Sequence, residues 1–263
     1  MSRVFILMIL LAALNATAAE EIITLSTREG VTQSYLLSAP TSDKPVAVAV
    51  LFPGGAGRVN LAREQRRGPI DRGNFLVRSR GWFVQAGVVA AVVAAPSDQA
   101  GGMEDDFRLG VEHATDIGTV VADLKTRFPG LPVFLIGTSR GSISAASAGA
   151  RLGKHVSGIV LTATVFLSAN RPGRPGLSGF DLGSITVPLL LVHHVEDECY
   201  VTPYSEAKAL SERYPLISVS GGSPPESSPC QAMSHHGFLG KEAETVNETV
   251  NWLLKRPFRN KIE

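Results

Sequence analysis

Three apolar runs without a polar face constrain the fold of this chain more than any other feature. They are Val46–Phe52, Val88–Ala94 and Val133–Ile136, and each is short and flanked by Gly or Pro. A strand that is apolar on both faces must be covered on both sides, which is typical of parallel sheets flanked by helices. The sequence therefore predicts a buried, mostly parallel sheet.

Strand-like and helix-like segments alternate along the rest of the chain. Further strands are predicted at Ile22–Leu25, Ser34–Leu37, Gly158–Ala163, Leu189–His193 and Ile217–Val219, about eight in all. Helices are predicted at Phe75–Gln85, Gly110–Phe128, Arg140–Leu152, Tyr204–Tyr214 and Lys241–Lys255. This alternation predicts a doubly wound α/β sheet with helices on both faces, in which the more polar first two strands can form an antiparallel edge.

Four irregular stretches rich in Gly, Pro, Ser and charge are predicted to be loops around a site. They are Pro53–Gly73, Pro96–Arg108, Ala169–Gly183 and Gly221–Ser234. None separates two self-sufficient sets of elements, so residues 19–263 are predicted to form a single domain. Ala169–Gly183 has room only for a short cap, without a helical lid. These loops contribute charged residues such as Asp105 and Arg108 around the site, and most of the charged residues are expected to be solvated.

The N-terminal segment has the pattern of a secretory signal peptide. Arg3 precedes the apolar run Val4–Leu14, and Ala16-Thr17-Ala18 has the small-x-small pattern of a cleavage site. The apolar run is too short to span about 30 Å of hydrocarbon, which argues against a membrane anchor. We therefore predict removal of residues 1–18, export to the periplasm or beyond, and no stable membrane insertion afterwards.

The two cysteines, Cys199 and Cys230, lie in the predicted mature part, and an oxidising compartment favours a disulfide between them. Such a bond closes a loop of about thirty residues and contributes roughly 3.5 kcal/mol in the chain-entropy treatment. Two buried free thiols are the alternative. Titration of thiols in the denatured, unreduced protein distinguishes the two.

A candidate nucleophile follows the strand Val133–Ile136, in Gly137-Thr138-Ser139-Arg140-Gly141, which leads into a run of small residues. A strand that passes through Gly-x-Ser-x-Gly into a helix is typical of a nucleophile elbow, in which a strained turn exposes the serine oxygen. The helix N-terminus behind it offers free N–H groups to a developing oxyanion. The alternative is a tight turn in which Ser139 merely caps the helix.

Candidates for an acid and a base follow in chain order. Asp197 comes after the strand Leu189–His193, and His236 lies in Ser234-His235-His236-Gly237-Phe238 before the last helix. A serine nucleophile needs a histidine base, and the base needs a carboxylate that fixes its tautomer. With these motifs the sequence resembles the α/β-hydrolase superfamily, whose triad runs Ser, then Asp or Glu, then His along the chain.

The resemblance covers most of the chain, from Val46 to the C-terminal helix, and is nearest to small exported esterases of the dienelactone-hydrolase type. It implies Ser139 as nucleophile, Asp197 as acid and His236 as base, without a metal or another cofactor. It also implies an oxyanion hole formed by the N–H groups of Gly55 and Arg140, each typically worth about 3 kcal/mol to the transition state.

Departures from the superfamily pattern leave three alternatives open. His194 stands where the family usually has Gly in the acid motif, so Glu196 is a rival for the acid, and His235 is likewise a rival for His236. Pro53-Gly54-Gly55 replaces the family's His-Gly-x motif. Because the proline removes a side chain that braces the loop, Ala56 is an alternative oxyanion donor.

Charge and histidine spacing exclude other classes of partner. With 25 Lys+Arg against 24 Asp+Glu, the net charge of +1 gives no electrostatic basis for nucleic-acid binding. The two His-His pairs do not predict a metal, because adjacent side chains point apart and no third ligand set is spaced for zinc.

The sequence predicts an exported serine hydrolase that cleaves small-molecule carboxylic esters. A peptidase or lactonase with the same triad, or a non-catalytic binding domain on this scaffold, is the alternative.

Overall fold

A nine-stranded sheet forms the centre of the computed structural model, which describes residues 19–41, 44–67 and 73–263. The strands are β1 (Ala19–Arg28), β2 (Val31–Ala39), β3 (Ala47–Phe52), β4 (Val88–Val93), β5 (Val133–Thr138), β6 (Gly158–Thr162), β7 (Leu189–His194), β8 (Leu216–Val219) and β9 (Lys261–Ile262). The predicted signal peptide, residues 1–18, lies outside the described residues.

The sheet order is β1-β2-β4-β3-β5-β6-β7-β8-β9. β1 pairs with β2, and β2 with β4, in antiparallel fashion, whereas every other pairing is parallel. The predicted mostly parallel sheet with an antiparallel edge is therefore confirmed. β3, β4 and β5 are buried along their whole length, as their apolar sequences require.

Eight α-helices surround the sheet within the described residues. They are α1 (Leu61–Arg67), α2 (Phe75–Arg78), α3 (Arg80–Gln85), α4 (Asp105–Leu109), α5 (Val111–Arg127), α6 (Arg140–Leu152), α7 (Tyr204–Leu210) and α8 (Glu242–Leu253). Residues of α5, α6 and α7 share one hydrophobic core with one face of the sheet, and residues of α1, α2, α3 and α8 share a second core with the other face. Helices thus cover both faces, as in a doubly wound fold.

The apolar stripe of α5 illustrates how the sequence builds these cores. Its buried apolar residues recur every three or four positions and face the sheet: Ala114, Ile117, Val120, Val121 and Leu124. Each larger aliphatic side chain contributes roughly 1.5–3 kcal/mol by its burial. None of the helices among the described residues is long and apolar enough to cross a bilayer.

The structure differs from the predicted elements in several places. The predicted helix Phe75–Gln85 is divided at Ser79 into α2 and α3. α1 and α4 form inside predicted loops, because helices of seven and five residues are too short to display a periodic apolar stripe. β9 was not predicted for the same reason: it has two residues, which pair with β8.

Two buried histidines make the stability of this fold depend on pH. Burial lowers the pKa of His113 and of His193 to about 3, whereas histidine in an unfolded chain titrates near 6.5. The unfolded state therefore binds more protons as pH falls below about 6.5, and stability is lost in that direction.

We expect the free energy of unfolding in urea to fall by roughly 2 kcal/mol for each of these histidines between pH 7 and pH 5. His113 packs between the rings of Phe52 and Phe107, with centroid separations of 6.2 and 5.5 Å, and its ring nitrogens have no hydrogen-bond partner among the described residues. His113→Phe should therefore remove its share of the pH dependence. An unchanged pH dependence in this variant would contradict the assignment.

Candidate active site

Ser139 lies in a sharp turn between β5 and α6, with φ 51° and ψ −129°. This conformation is strained for a residue with a side chain. A Cβ atom at Gly137 would lie 2.2 Å from the carbonyl oxygen of Gly141, and one at Gly141 would lie 2.0 Å from that of Phe52. Both glycines are therefore sterically required. Ser139 makes no side-chain hydrogen bond that caps α6, so the capping alternative does not describe this turn.

Asp197 and His236 are brought together by the loops that follow β7 and β8. The Nδ1 atom of His236 lies 2.9 Å from Oδ2 of Asp197, and both residues are buried. The other carboxylate oxygen accepts the N–H of Cys199 at 2.9 Å. An Nδ1–H that donates to a carboxylate leaves Nε2 as the basic nitrogen. The arrangement therefore fixes the histidine tautomer that base catalysis requires.

The pKa of Asp197 is lowered in this environment. Burial raises the pKa, but the hydrogen bond and the charge interaction with His236, together with the donors Cys199 N–H and Thr202 Oγ1–H, lower it further than burial raises it. The carboxylate thus stays ionised at neutral pH and can stabilise a protonated imidazole.

The rival side chains lie elsewhere. The carboxylate of Glu196 is exposed, accepts the N–H of Gly221 at 3.2 Å, and lies 3.1 Å from Nδ1 of His194. The His235 ring stacks on that of His194 with centroids 4.6 Å apart, and its Nδ1 lies 3.2 Å from the Glu196 carbonyl oxygen. Neither rival takes part in the Asp197–His236 pair.

A cavity of about 340 Å³ joins the candidate nucleophile to the candidate base, because both Ser139 and His236 line it. The Nε2 atom of His236 has no hydrogen-bond partner among the described residues, and no hydrogen bond joins it to the hydroxyl of Ser139. Catalytic hydrogen bonds are often long before substrate is bound and tighten in the complex. Nε2 is thus available to accept the serine proton.

The two predicted oxyanion donors lie in the wall of the same cavity. Gly55 follows β3, Arg140 is the first residue of α6, and both line the cavity with Ser139, whereas Ala56 does not. The carboxyl ends of four parallel strands, β3, β5, β7 and β8, therefore supply every predicted component of the site. This is where a doubly wound sheet places its ligands.

The fold and part of the sequence are similar to known proteins. Residues 107–181, which are 75 of the 263, match the family described as serine aminopeptidase, S33. The structure superposes on dienelactone hydrolase from Anabaena variabilis with a TM-score of 0.60 and 15% identity, covering 92% of this chain and all of that one (100%). The chain therefore has the fold of the α/β-hydrolases. The fold class predicted from the sequence is thereby confirmed.

Two further solved structures have the same fold as this chain. A serine hydrolase without a lid from Xanthomonas campestris has a TM-score of 0.57 and 15% identity, with 88% of this chain and 94% of that chain covered. A cold-adapted esterase from an Arctic intertidal metagenomic library has a TM-score of 0.57 and 14% identity, with 91% and 94% covered. No curated protein sequence is significantly similar to this chain.

Two of the charged loop residues are buried, although most such residues were expected to be solvated. Asp105 and Arg108 are each less than 4% exposed, and the neighbouring Met103 is buried with them. Asp105 accepts a hydrogen bond from Arg140 Nε at 2.6 Å. The physical reason is that α4, which the sequence does not reveal, carries Asp105 and Arg108 into contact with α6.

Thr202 is a site residue that the sequence analysis missed. Its hydroxyl donates to Oδ2 of Asp197 at 2.9 Å and lies 3.3 Å from Nδ1 of His236. It thereby supports the carboxylate oxygen that faces His236, whereas Cys199 N–H supports the other one. A single threonine in the loop after β7 has no motif around it, so only the folded loop shows its contact.

The disulfide between Cys199 and Cys230 joins the loop of Asp197 to the loop of His236. Both cysteines line the cavity, and the N–H of Cys199 is itself a donor to Asp197. Loss of the bond should therefore disturb the acid–base pair as well as the global stability.

We expect reduction of the disulfide to lower kcat by about tenfold under conditions in which the far-ultraviolet circular dichroism is unchanged. The free energy of unfolding should fall by roughly 3.5 kcal/mol. The double variant Cys199→Ser, Cys230→Ser is the matched control, because reductant should have no further effect on it. Activity and circular dichroism that are lost together would contradict the local role.

Proposed function

We propose that this chain is a member of the α/β-hydrolase superfamily: an exported, cofactor-independent serine hydrolase that cleaves carboxylic esters with small acyl groups through an acyl-enzyme. The observation that carries the proposal is the convergence of Ser139, the Asp197–His236 pair and two backbone N–H donors on one open cavity. Each of these parts is needed for acyl transfer by an uncharged serine.

In the proposed reaction, Nε2 of His236 accepts the proton of the Ser139 hydroxyl as its oxygen attacks the ester carbonyl. The N–H groups of Gly55 and Arg140 bind the oxyanion of the tetrahedral intermediate. His236 then protonates the leaving alcohol, and an acyl-enzyme forms. Water, activated by the same imidazole, attacks the acyl carbon and releases the acid and free serine.

The preference for small substrates follows from the loop between β6 and β7. Residues 163–188 contain no α-helix, so no helical lid covers the cavity. The backbone folds back on itself, with the Leu177 N–H donating to Val165 O at 2.9 Å and the Gly176 N–H donating to Asp105 Oδ2 at 3.1 Å. A cavity of about 340 Å³ suits a small acyl group and leaves little room for a long chain. The names of the similar folds, which include an esterase and a lidless serine hydrolase, support the ester class.

The match to the serine aminopeptidase family makes peptide hydrolysis the second candidate. An aminopeptidase must bind the α-ammonium group of its substrate, for which an unpaired carboxylate is the natural partner. The acidic residue that lines the cavity, Asp105, is already bound by Arg140, and the neighbouring Glu104 is bound by Arg174 at 2.7 Å. This pairing favours esters over free-amino peptides.

Export is supported by the signal-peptide pattern of residues 1–18 and is compatible with the disulfide. The compartment is tested by expressing the full chain and determining the N-terminus of the recovered protein. A mature N-terminus at Ala19 supports export, and an intact Met1 in a cytoplasmic fraction contradicts it.

The proposed function is tested by incubating the protein with a fluorophosphonate probe and measuring hydrolysis of p-nitrophenyl acetate and of alanine p-nitroanilide. We expect one probe adduct on the peptide that contains Ser139, no adduct in Ser139→Ala, and much faster cleavage of the ester than of the anilide. Absence of the adduct contradicts the serine hydrolase, and preferential anilide cleavage favours the aminopeptidase.

A further inference from the structure

Arg108, on α4, is a buried cation that forms no ion pair with any residue the structure describes. It is 1% exposed, and among the described residues no carboxylate oxygen lies within 4.0 Å of its guanidinium nitrogens. Its hydrogen bonds go instead to two neutral acceptors: Nη2 donates to the carbonyl oxygen of Gly55 at 3.0 Å, and Nη1 donates to the hydroxyl of Ser144 at 2.8 Å. Nε has no partner among the described residues.

The two acceptors belong to the two elements that carry the proposed oxyanion donors. Gly55 is in the loop after β3, and Ser144 is one turn along α6 from Arg140. One guanidinium group therefore links the loop to the helix behind the oxyanion site. The guanidinium group is planar, so its two donor nitrogens hold the two acceptor oxygens at a fixed separation.

The loop after β3 packs tightly against Arg108 at Gly57. A Cβ atom at Gly57 would lie 2.9 Å from Nη2 of Arg108 and 2.4 Å from the methyl carbon of Met103. Met103 also holds this loop through its backbone, because its N–H donates to the carbonyl oxygen of Ala56 at 2.9 Å. A side chain at position 57 would require Arg108 and Met103 to move from these positions.

Burying a cation that has no ion pair costs free energy. A functional role would explain why Arg108 occupies this position despite that cost. Burial lowers the pKa of Arg108 to about 9, with the charge of Arg140 acting in the same direction. The guanidinium is therefore still protonated at neutral pH. In the resting site the carboxylates of Asp105 and Glu104 attract this cation only from beyond ion-pair distance, and a negative charge that develops beside Gly55 during catalysis would add to that attraction.

We propose that Arg108 is the positioning residue of the oxyanion site: it fixes the Gly55 loop against α6 and places a positive charge behind the oxyanion. This proposal rests on the proposed function. The sequence offers a reason for such a brace, because Pro53 stands where α/β-hydrolases carry a histidine that steadies this loop. Arg108 holds this loop through the carbonyl oxygen of Gly55.

The test compares Arg108→Met and Arg108→Lys with the wild type on p-nitrophenyl acetate, with rates expressed per Ser139 that a fluorophosphonate labels at completion. We expect Arg108→Met to lower kcat by about 10- to 100-fold with KM changed by less than about twofold, since the loss falls on the transition state. Arg108→Lys, which keeps the charge but reaches one acceptor at a time, should recover only part of that loss.

A second measurement separates oxyanion positioning from general packing. Phenylboronic acid forms an anionic tetrahedral adduct with a nucleophilic serine, so its inhibition constant should rise by the same factor by which kcat/KM falls. Arg151→Met is the matched control. The side chain of Arg151 on α6 also donates to α4, to the carbonyl oxygen of Leu109 at 2.9 Å, but it is exposed and remote from the loop. This control should stay within about twofold of the wild type.

Two results for Arg108→Met would overturn the proposal. One is a wild-type kcat per labelled serine, and the other is a higher KM with an unchanged inhibition constant for phenylboronic acid. Should Arg108→Met not fold, Arg108→Lys decides: we expect kcat about three- to tenfold below wild type with a matching rise in the boronate constant, and no change in either refutes the role. A wild type that neither reacts with the probe nor hydrolyses the ester refutes the proposed function instead.

Discussion

Replacing His236 by alanine is expected to lower kcat for p-nitrophenyl acetate by about five to six orders of magnitude. In a Ser-His-Asp enzyme, removal of the histidine alone costs nearly as much as removal of the whole triad. In this structure Nδ1 of His236 lies 2.9 Å from Asp197, and His236 lines the cavity together with Ser139. None of the other histidines, all of which are among the described residues, lines that cavity, so none is placed to take over the proton transfer.

His235→Ala is the matched control for this prediction. Its ring stacks on His194 and is not among the groups that line the cavity, so we expect kcat to change by less than about threefold. Stopped-flow or steady-state assays on both variants, each checked by circular dichroism, measure the difference. Equal losses in the two variants, or a larger loss in His235→Ala, would reverse the assignment of the base.

The fold was largely predictable because its central strands are apolar on both faces. β3, β4 and β5 require cover on each side, and α5 and α6 show the periodic or small-residue patterns that provide it. The positions of the candidate site residues followed from the same reasoning. Parallel strands end at one edge, so motifs that follow β5, β7 and β8 must meet there.

The position of Arg108 behind the proposed oxyanion site could not be predicted from the sequence. α4 is five residues long and shows no periodicity, and its charged composition indicates a solvated loop. Only tertiary packing places Asp105 against Arg140 and Arg108 against Gly55. Buried charges of this kind follow from long-range contacts, which local pattern does not encode.

The sequence alone also does not distinguish neighbouring residues of one loop. Glu196 and Asp197 are adjacent, so a shift of the loop by one residue would bring the other carboxylate to His236. The difference in the structure lies in the local hydrogen bonds, because the loop donates Cys199 N–H and Thr202 Oγ1–H to Asp197, both at 2.9 Å. Those donors identify the carboxylate that is held toward His236.

Asp197→Asn is accordingly expected to lower kcat by about four orders of magnitude. The amide keeps the size of the side chain, but it cannot stabilise the imidazolium and favours the wrong tautomer of His236. The substitution also removes the stability that a carboxylate with a lowered pKa supplies at neutral pH, which is lost in the wild type as pH falls through the acidic range. Activity should be measured alongside urea denaturation, so that loss of the fold is not mistaken for loss of chemistry.

Glu196→Gln serves as the matched substitution one residue away. The exposed carboxylate of Glu196 contacts His194 Nδ1 at 3.1 Å and Gly221 N–H at 3.2 Å, and a neutral amide oxygen can still accept the Gly221 hydrogen bond. We expect kcat to remain within about threefold of the wild type. The reverse order, with Glu196→Gln inactive and Asp197→Asn active, would make Glu196 the acid. It would require the loop after β7 to turn its other carboxylate toward His236 when substrate binds.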